Sequence, residues 1–373
     1  MPLTDLDGSI VAPRLPHGLD TPEVVVDLDR VDANIARMQA LLDNRGVALR
    51  PHAKTHKSPF FARRQLAAGA VGMTVAVLGE AEVLADGGAE DVFVAYPVWA
   101  VGEKARRLRA LAGRVQLSVG VDSVEGAAQL GRALAGAADR PEVLIEVDSG
   151  EGRTGTSPDR VAEVARAVAD ARLPLAGVFT HGGHAYRGPE RVSGAARDEQ
   201  STLAAALAAL DAADFEVRVV SAGSTPTAVD ASAQPITEER PGTYVFGDRQ
   251  QVNLRGSDPA TVALAVAATV VSTAVPGGCV LDAGAKALAK DKPGWLDGHG
   301  VIPALPGATI TSVYDHHAVV SLPDDLPPPA VGDVVAVVPN HVCPVVNLTD
   351  ELVVTRDGAA VQRVPVAARG RTS

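Results

Sequence analysis

The chain alternates between short apolar runs and longer segments whose apolar residues recur every three or four positions. The first pair consists of the run Val24-Val25-Val26 and the segment 31–43, which carries apolar residues at helical spacing. A short continuous apolar run is typical of a buried strand, and the longer period is typical of an amphipathic helix. This pair therefore predicts one strand followed by one helix.

The same strand-then-helix pattern recurs as far as about residue 222. The strand-like runs cover 71–77, 92–95, 116–121, 142–147, 175–180 and 217–222, and the helical patterns between them cover 79–87, 103–112, 124–135, 158–171 and 197–212. Strands that alternate with amphipathic helices predict a parallel sheet closed by right-handed crossovers. About eight such units in roughly 240 residues match a TIM (β/α)8 barrel. An open doubly wound sheet is the alternative, but no GxGxxG motif follows the first strand.

The pattern changes after about residue 255. Strand-like runs at 261–273, 278–282, 317–322, 334–338 and 351–356 are separated by glycine and proline, without long helical patterns. Such spacing predicts a smaller, mainly β domain. The first twenty residues are polar and interrupted by prolines. We therefore predict an N-terminal arm at 1–20, a TIM barrel at 21–255 and a mainly β domain at 256–373.

Composition limits the classes of function. The chain is 46% hydrophobic and 21% charged, which suits a folded protein with a large core. Its formal net charge of −11 argues against binding to nucleic acid or to an anionic membrane surface. No signal peptide is recognisable, and the apolar run 261–275 is too short to span a membrane. Because two cysteines cannot form a disulfide framework, we expect a cytoplasmic protein.

Candidate chemistry is concentrated in the segment 50–58, whose sequence is Arg-Pro-His-Ala-Lys-Thr-His-Lys-Ser. It follows the apolar stretch 47–49, so Lys54 would lie just past the end of a barrel strand, where TIM barrels place their reactive residues. A lysine there can hold an aldehyde cofactor as a Schiff base, provided that burial and neighbouring cations lower its pKa. His52 and His56 could tune Lys54 or move protons, or could make orienting hydrogen bonds alone.

A second cluster, Pro339-Asn340-His341-Val342-Cys343-Pro344, lies far down the chain. His341 and Cys343 flank one residue, so on an extended segment both side chains would point the same way. Imidazole and thiolate together favour zinc over magnesium or calcium. Two protein ligands leave coordination positions for water and substrate, as a catalytic metal requires.

The two clusters together resemble the D-threonine aldolase and D-serine dehydratase family, whose members are pyridoxal phosphate enzymes related to alanine racemase. The segment 50–57 resembles the family's cofactor-lysine motif, and His341-Val342-Cys343 resembles its metal-ligand pair. The resemblance covers most of the chain. It implies a barrel followed by a β domain, with Lys54 as the Schiff-base lysine and Lys57 on the surface of the following turn.

Other strand ends resemble family segments that face the cofactor. Arg153 resembles an arginine that faces the pyridoxal ring, and His181 is similar in position to a residue that contacts the cofactor. Lys286 is the alternative Schiff-base lysine, but it lies in the predicted β domain rather than at a barrel strand end. We therefore predict catalytic roles for Lys54, His52 and His181.

Phosphate binding requires backbone N–H donors at a turn together with small hydroxyl side chains. Two segments combine these features, and the candidate residues in them are Gly223, Ser224 and Thr225 after the run 217–222, and Gly242, Thr243 and Tyr244 within 240–248. TIM barrels commonly bind phosphate at their last strands, where both segments would lie. The second segment also resembles the family's pattern, which implies that Tyr244 lies near the cofactor.

The resemblance implies a lyase that uses pyridoxal phosphate and a divalent metal and acts on D-configured β-hydroxy amino acids. Cys343 and the Lys54 motif favour a D-serine or D-threonine dehydratase that uses zinc. Some aldolases of the family carry aspartate in the second ligand position and prefer manganese, so a D-threonine aldolase is the alternative. A racemase needs no metal pair, and a non-catalytic pyridoxal carrier needs neither the metal pair nor the β domain.

Assembly is also implied by the resemblance. Related enzymes of this fold pair the barrel of one subunit with the β domain of another across a two-fold axis. We therefore expect a homodimer in which His341 and Cys343 complete the site of a partner subunit. The expected ligands are the cofactor, the metal and a small D-amino acid, and neither nucleic acid nor membrane is an expected partner.

Overall fold

A computed structural model describes residues 6–373, so the first five residues of the predicted arm lie outside the described part. The strands of the described part, in chain order, are β1 (Glu23–Asp27), β2 (Ala48–Leu49), β3 (Met73–Val75), β4 (Asp91–Pro97), β5 (Gln116–Val121), β6 (Glu142–Glu146), β7 (Leu175–Phe179), β8 (Val219–Ala222), β9 (Glu238–Glu239), β10 (Leu264–Ser272), β11 (Gly278–Leu281), β12 (Thr309–Val313), β13 (Ala318–Ser321), β14 (Val334–Val337), β15 (Glu351–Arg356) and β16 (Ala359–Pro365).

The α-helices are α1 (Leu28–Asp43), α2 (Pro59–Ala67), α3 (Leu78–Asp86), α4 (Gly102–Ala112), α5 (Val124–Ala133), α6 (Val161–Asp170), α7 (Val192–Asp211), α8 (Ala228–Ala231), α9 (Arg249–Asn253), α10 (Ala285–Leu288) and α11 (Val342–Leu348). Side chains cap several of their first turns. The Asp27 carboxylate accepts hydrogen bonds from the Asp29 and Arg30 amides, which fixes the start of α1. No helix of the described residues is long and apolar enough to cross a membrane.

Eight parallel strands of residues 6–373 form one sheet in the order β2-β9-β8-β7-β6-β5-β4-β3. Its two outer strands meet, because His52 pairs in parallel with Thr74. The Val71 amide also donates to the Leu49 carbonyl at 2.9 Å, and the Thr74 amide to the Pro51 carbonyl at 2.8 Å. The strands therefore close into a barrel, and the predicted TIM barrel is confirmed.

The second sheet has the order β12-β13-β11-β10-β1-β15-β16, with β14 paired to β10, and forms the predicted mainly β domain. Strand β1 belongs to this sheet, where it pairs antiparallel with β10 and parallel with β15. The boundary predicted at residue 21 therefore needs correction, because the barrel begins with α1. Val24, Val25 and Val26 are all buried, a pattern that the centre of either sheet would satisfy.

The two domains pack through one continuous apolar core. Val342, Val345 and Val346 of α11 are fully buried in the same cluster as the barrel residues Leu49 and Ala53. Helix α11 of the β domain also contacts the single helical turn Ala53–Thr55 that follows β2. This contact brings the two sequence clusters, which lie far apart along the chain, to one place.

Candidate active site

A cavity of about 690 Å³ lies at the carboxyl ends of the barrel strands and is also lined by residues of the β domain. Its volume is in the range of small-molecule sites. Of the predicted site residues, those that line it are His52, Lys54, Arg153, His181, Gly223, Ser224, Thr225, Gly242, Thr243, His341 and Cys343. The exception is Tyr244. The structure thus brings together residues from five strand ends and from the start of α11.

Lys54 lies on the turn Ala53–Thr55, directly after β2. Its backbone amide donates to the Nδ1 atom of His52 at 3.4 Å, which helps to fix the turn. Burial lowers the pKa of the Lys54 amine, and the positive charge of Arg153 lowers it further, against an opposing effect of Cys343. More of the Lys54 amine is therefore neutral than in an exposed lysine. The neutral amine is the form that attacks a carbonyl.

His52 and His181 are held in different tautomers. His52 Nδ1 accepts a hydrogen bond, so its Nε2 carries the proton. His181 Nδ1 lies 3.3 Å from the Gly223 carbonyl oxygen, which can only accept, so the proton is on Nδ1 and Nε2 is an acceptor. Burial, then the charge of Lys54, lowers the pKa of His181 to about 3 and that of His52 well below its ordinary value. Both rings are therefore neutral near neutral pH, one offering a donor and the other an acceptor.

His56 and Lys57 belong to the barrel wall. His56 is fully buried, accepts from the Ser58 amide at Nδ1 and bonds the Gln65 side chain at 3.1 Å through Nε2, so its contacts are orienting hydrogen bonds. Lys57 forms an ion pair with Glu80 at 3.2 Å, in which both side chains are largely buried. The prediction of a surface position for Lys57 was wrong, because the buried carboxylate of α3 requires a charge partner.

The two predicted phosphate loops lie side by side at the ends of β8 and β9. The Thr243 hydroxyl donates to the Thr225 hydroxyl at 2.9 Å, and the Ser224 amide donates to the Thr227 hydroxyl at 3.1 Å. A Cβ atom at Gly242 would lie 2.8 Å from the Thr55 hydroxyl oxygen, so only glycine allows this loop to approach the lysine turn. Small side chains and exposed backbone at this place suit a phosphate group.

The side chain of Tyr244 does not line the cavity. Its hydroxyl accepts a hydrogen bond from the Gln65 amide at 2.9 Å, and its ring is buried in the barrel core, where burial raises the pKa of the phenol. Only its backbone is close to the loops, since the Tyr244 amide donates to the Thr225 hydroxyl. The turn Thr243–Val245 rotates the side chain away from the cavity.

Sequence reasoning did not single out Arg240, which lines the cavity at the end of β9. The guanidinium group donates to the Ser221 hydroxyl at 2.6 Å and to the Thr180 carbonyl at 2.5 Å, and lies over the rings of Phe93 and Phe179. These contacts hold a buried positive charge at the base of the cavity. Its position directly after a strand end was the available signal.

The metal pair does not lie on an extended segment as predicted. His341 is extended and immediately precedes α11, and Cys343 lies in the first turn of that helix. The cause is Asp248, whose carboxylate accepts from the Gln251 amide at the start of α9 and from the Val342 amide at the start of α11. One buried carboxylate thus caps helices of both domains. Burial raises the pKa of Asp248 to about 6.

His341 and Cys343 nevertheless face one cavity together with Lys54 of the same chain. The Cys343 sulfur lies 3.4 Å from the Thr55 hydroxyl oxygen. Burial acts to raise the pKa of the Cys343 thiol, but the charge and hydrogen bond of His341 overcome it and lower that pKa. A thiolate is the form that binds metal. The pair thus faces the lysine of its own chain, and the expectation that it completes a partner's site stays a prediction.

Sequence comparison matches residues 26–250 to the family described as "Alanine racemase, N-terminal domain" and residues 263–355 to a serine dehydratase domain. The chain belongs to this family of enzymes. The resemblance inferred from the two motifs is thereby confirmed, and the family implies pyridoxal phosphate as a cofactor. The two matches correspond to the barrel and to the β domain.

Two curated relatives are similar over most of their length. A D-threonine aldolase from Arthrobacter sp. is 36% identical over 364 residues, covering 94% of this chain and 93% of the relative. A D-threo-3-hydroxyaspartate dehydratase from Delftia sp. is 36% identical over 351 residues, covering 87% and 91%. The relatives thus include both an aldolase and a dehydratase.

Solved structures agree with the fold. The crystal structure of D-threonine aldolase from Filomicrobium marinum has a TM-score of 0.87 at 31% identity, covering 96% of this chain and 100% of that chain. A cysteine-to-alanine mutant of D-threo-3-hydroxyaspartate dehydratase, described as the metal-free form, has a TM-score of 0.85 at 33% identity, covering 93% and 97%. The barrel and β domain are therefore arranged as in these enzymes.

Proposed function

We propose that this enzyme is a lyase that uses pyridoxal phosphate and a divalent metal to dehydrate D-configured β-hydroxy amino acids such as D-serine and D-threonine. The observation that carries the proposal is the shared cavity. Lys54 and the pair His341 and Cys343 line it together, and the Cys343 sulfur is 3.4 Å from the hydroxyl of the residue that follows Lys54. A racemase would share the lysine but would need no metal, so the adjoining soft ligands favour a lyase.

The donor set fits the cofactor. Lys54 would hold it covalently, the loops at Ser224 and Thr243 would bind its phosphate, and Arg153 would face its ring, as the resemblance implies. When bound, pyridoxal phosphate supplies an electron sink for charge that develops at the substrate Cα. The neutral Lys54 amine can then take the Cα proton, since its pKa is lowered by burial.

The two histidines take complementary roles in this proposal. His181 offers an unprotonated Nε2 that can accept a hydrogen bond or a proton. His52 offers a protonated Nε2 that can donate a hydrogen bond to an anionic group in the cavity. Because the pKa values of both histidines are lowered, neither ring adds a positive charge to the cavity near neutral pH.

The donor chemistry also fits a metal. His341 and Cys343 would hold zinc, which would supply a Lewis acid for the β-hydroxyl of the substrate. Among the described residues, no cluster of three or more histidine, cysteine, aspartate or glutamate side chains is placed to hold an ion. Water and substrate would therefore complete the coordination. Manganese is the alternative metal.

A D-threonine aldolase is the second candidate, favoured by the aldolase that is 36% identical over 94% of this chain. The two activities share the site and differ in the bond that breaks: the Cβ–O bond in dehydration, the Cα–Cβ bond in aldol cleavage. Purified enzyme should therefore be incubated with D-serine and D-threonine, and with the L-enantiomers as controls. Pyruvate and 2-oxobutyrate indicate dehydration, whereas glycine with acetaldehyde indicates cleavage. Equal turnover of D- and L-serine would contradict the proposal.

We also infer a homodimer in the cytoplasm. Tyr96 and Trp99, which follow the cavity residue Ala95 at the end of β4, are 49% and 55% exposed. Large apolar side chains exposed beside a site are typical of a subunit contact. Both cysteines are free thiols, consistent with a reducing compartment. Sedimentation should give the dimer mass, and the exposed Trp99→Glu variant should shift it towards the monomer.

A further inference from the structure

Asp291 contacts His341 of the metal pair from a segment in which the sequence indicated no site residue. It lies in the connection between α10 and β12, and its Oδ2 atom is 2.8 Å from Nδ1 of His341. Asp291 also lines the cavity. The carboxylate can only accept when ionised, so the proton of this hydrogen bond is on Nδ1. The other ring nitrogen of His341, Nε2, is therefore left for a metal.

We propose that Asp291 is a positioning residue that orients His341 for metal binding. The inference rests on the metal-dependent function proposed above. A carboxylate that accepts the second ring proton of a ligating histidine fixes the tautomer and the ring rotation, and makes the imidazole a stronger ligand. His341 needs such a partner, because the residue immediately precedes α11 and its ring is about one-third exposed.

The segment that carries Asp291 is itself held in place. The Asn340 side-chain amide donates to the Asp291 carbonyl oxygen at 2.8 Å and to the Gly298 carbonyl oxygen at 3.0 Å. Further along the segment, the Trp295 indole N–H donates to the Tyr186 carbonyl oxygen of the barrel at 2.9 Å. The carboxylate is thus set by contacts with both domains before any metal binds, which is the condition for preorganising a ligand.

Asp291 acts through His341 rather than as a third ligand. No group of three potential ligand side chains in the described residues is arranged around a common point, although Asp291, His341 and Cys343 are neighbours. Asp291 bonds the Nδ1 side of the ring, whereas the metal would bind Nε2. The carboxylate therefore lies on the Nδ1 side of the imidazole and leaves Nε2 available.

The test compares metal affinity in variants of the holoenzyme. Zinc affinity is measured by competition with a chelator of known affinity, for the wild type, Asp291→Ala and Asp291→Asn. We expect Asp291→Ala to bind zinc about 10–100-fold more weakly and Asp291→Asn to recover part of the loss, since its carbonyl oxygen can still accept from Nδ1. The matched control is Asp198→Ala, which removes the partner of His184 at 3.1 Å and should leave zinc affinity unchanged.

A spectroscopic measurement separates positioning from a structural role. Cobalt replaces zinc in each variant, and its thiolate charge-transfer absorbance reports the bond to Cys343. Asp291→Ala should keep this band at saturating cobalt, with the visible absorbance of the bound cofactor unchanged. Wild-type zinc affinity in Asp291→Ala, or an equal loss in Asp198→Ala, would overturn the inference. A wild type that binds neither zinc nor cobalt would instead refute the proposed metal site itself.

Discussion

The protonation states of single residues prepare the cavity for chemistry. Burial lowers the pKa of the Lys54 amine, and the hydrogen bonds of His52 and His181 leave one Nε2 as a donor and the other as an acceptor. Cys343 tends towards the thiolate because His341 lies beside it. The groups also act on one another, since the charge of Lys54 lowers the pKa values of both histidines and of Cys343.

Lys54→Ala should abolish activity and the visible absorbance of the lysine-bound cofactor, because among the described residues Lys54 is the one amine that lines the cavity at a barrel strand end. Absorbance spectra and turnover of the purified variant check this. The control is Lys286→Ala: this lysine lies 3.6 Å from Asp315 on the exposed surface of the β domain and should be dispensable. If Lys54→Ala retained the absorbance, the cofactor would have to bind a different amine.

His56 should contribute to acid sensitivity. Burial lowers its folded-state pKa from 6.5 to about 4, so between these values the unfolded chain binds a proton that the folded chain does not. Its stabilising contribution is present above about pH 6.5 and is lost as the pH falls towards 4. Between about pH 6.5 and 4, the unfolding free energy of His56→Gln should fall less steeply with pH than that of the wild type. The difference in slope should correspond to about one proton, as measured by urea unfolding at several pH values. An unaltered slope in His56→Gln would contradict the assignment.

The sequence predicted Lys54, His341 and Cys343 because their chemistry is unusual and their strand-end or spacing pattern is local. It could not show which way the Tyr244 side chain turns, since that direction depends on packing against Gln65. Asp291 could not be found from any local pattern. Its role arises from a contact across fifty positions of the chain, which only the tertiary structure supplies.

At the scale of elements, the hydrophobic pattern predicted most strands but not β9, β12 or β16, and it did not predict which strands pair. Strand β1 has the same buried apolar run as a barrel strand, yet it pairs with β10 and β15 of the other sheet. Strand β9 consists of Glu238 and Glu239, both buried, and no apolar pattern marks it. Glu238 is accommodated because Arg50 donates to it at 2.6 Å, a contact invisible in the local sequence.

The close approach of the β9 loop to the lysine turn gives a further prediction. In Gly242→Ala the new Cβ would lie 2.8 Å from the Thr55 hydroxyl and 3.0 Å from the His52 carbonyl, so the two loops must separate. We expect this separation to cost about 1–3 kcal/mol. The dissociation constant of pyridoxal phosphate should therefore rise roughly 5- to 150-fold, as measured by titrating the apoenzyme with the cofactor.

The matched control for this loop is Gly194→Ala in α7, where the added Cβ meets no atom within 4 Å. Alanine favours helix over glycine by up to about 1 kcal/mol, so this variant should be slightly more stable and should bind the cofactor normally. Unchanged cofactor affinity in Gly242→Ala would show that the two loops do not form the phosphate site.

In the whole molecule, the cavity exists because two domains share one core. The barrel supplies Lys54, the β domain supplies His341 and Cys343, and Asp248 caps one helix of each. The change of pattern near residue 255 predicted two domains, but the sequence could not show that β1 enters the second sheet before the barrel begins. Because β1 and β10 pair, the chain crosses between the domains at both ends of the barrel.

This division of the site between domains predicts that the metal and the cofactor can be removed independently. Exhaustive chelation should abolish turnover, since the proposed β-hydroxyl polarisation requires the metal, but should leave the absorbance of the lysine-bound cofactor unchanged. Cys343→Ala should lose zinc, measured by metal analysis, while Cys279→Ala should keep it, because Cys279 is buried in β11 outside the cavity. Full activity after chelation would refute the metal-dependent lyase and favour a racemase, which would share Lys54 but need no metal.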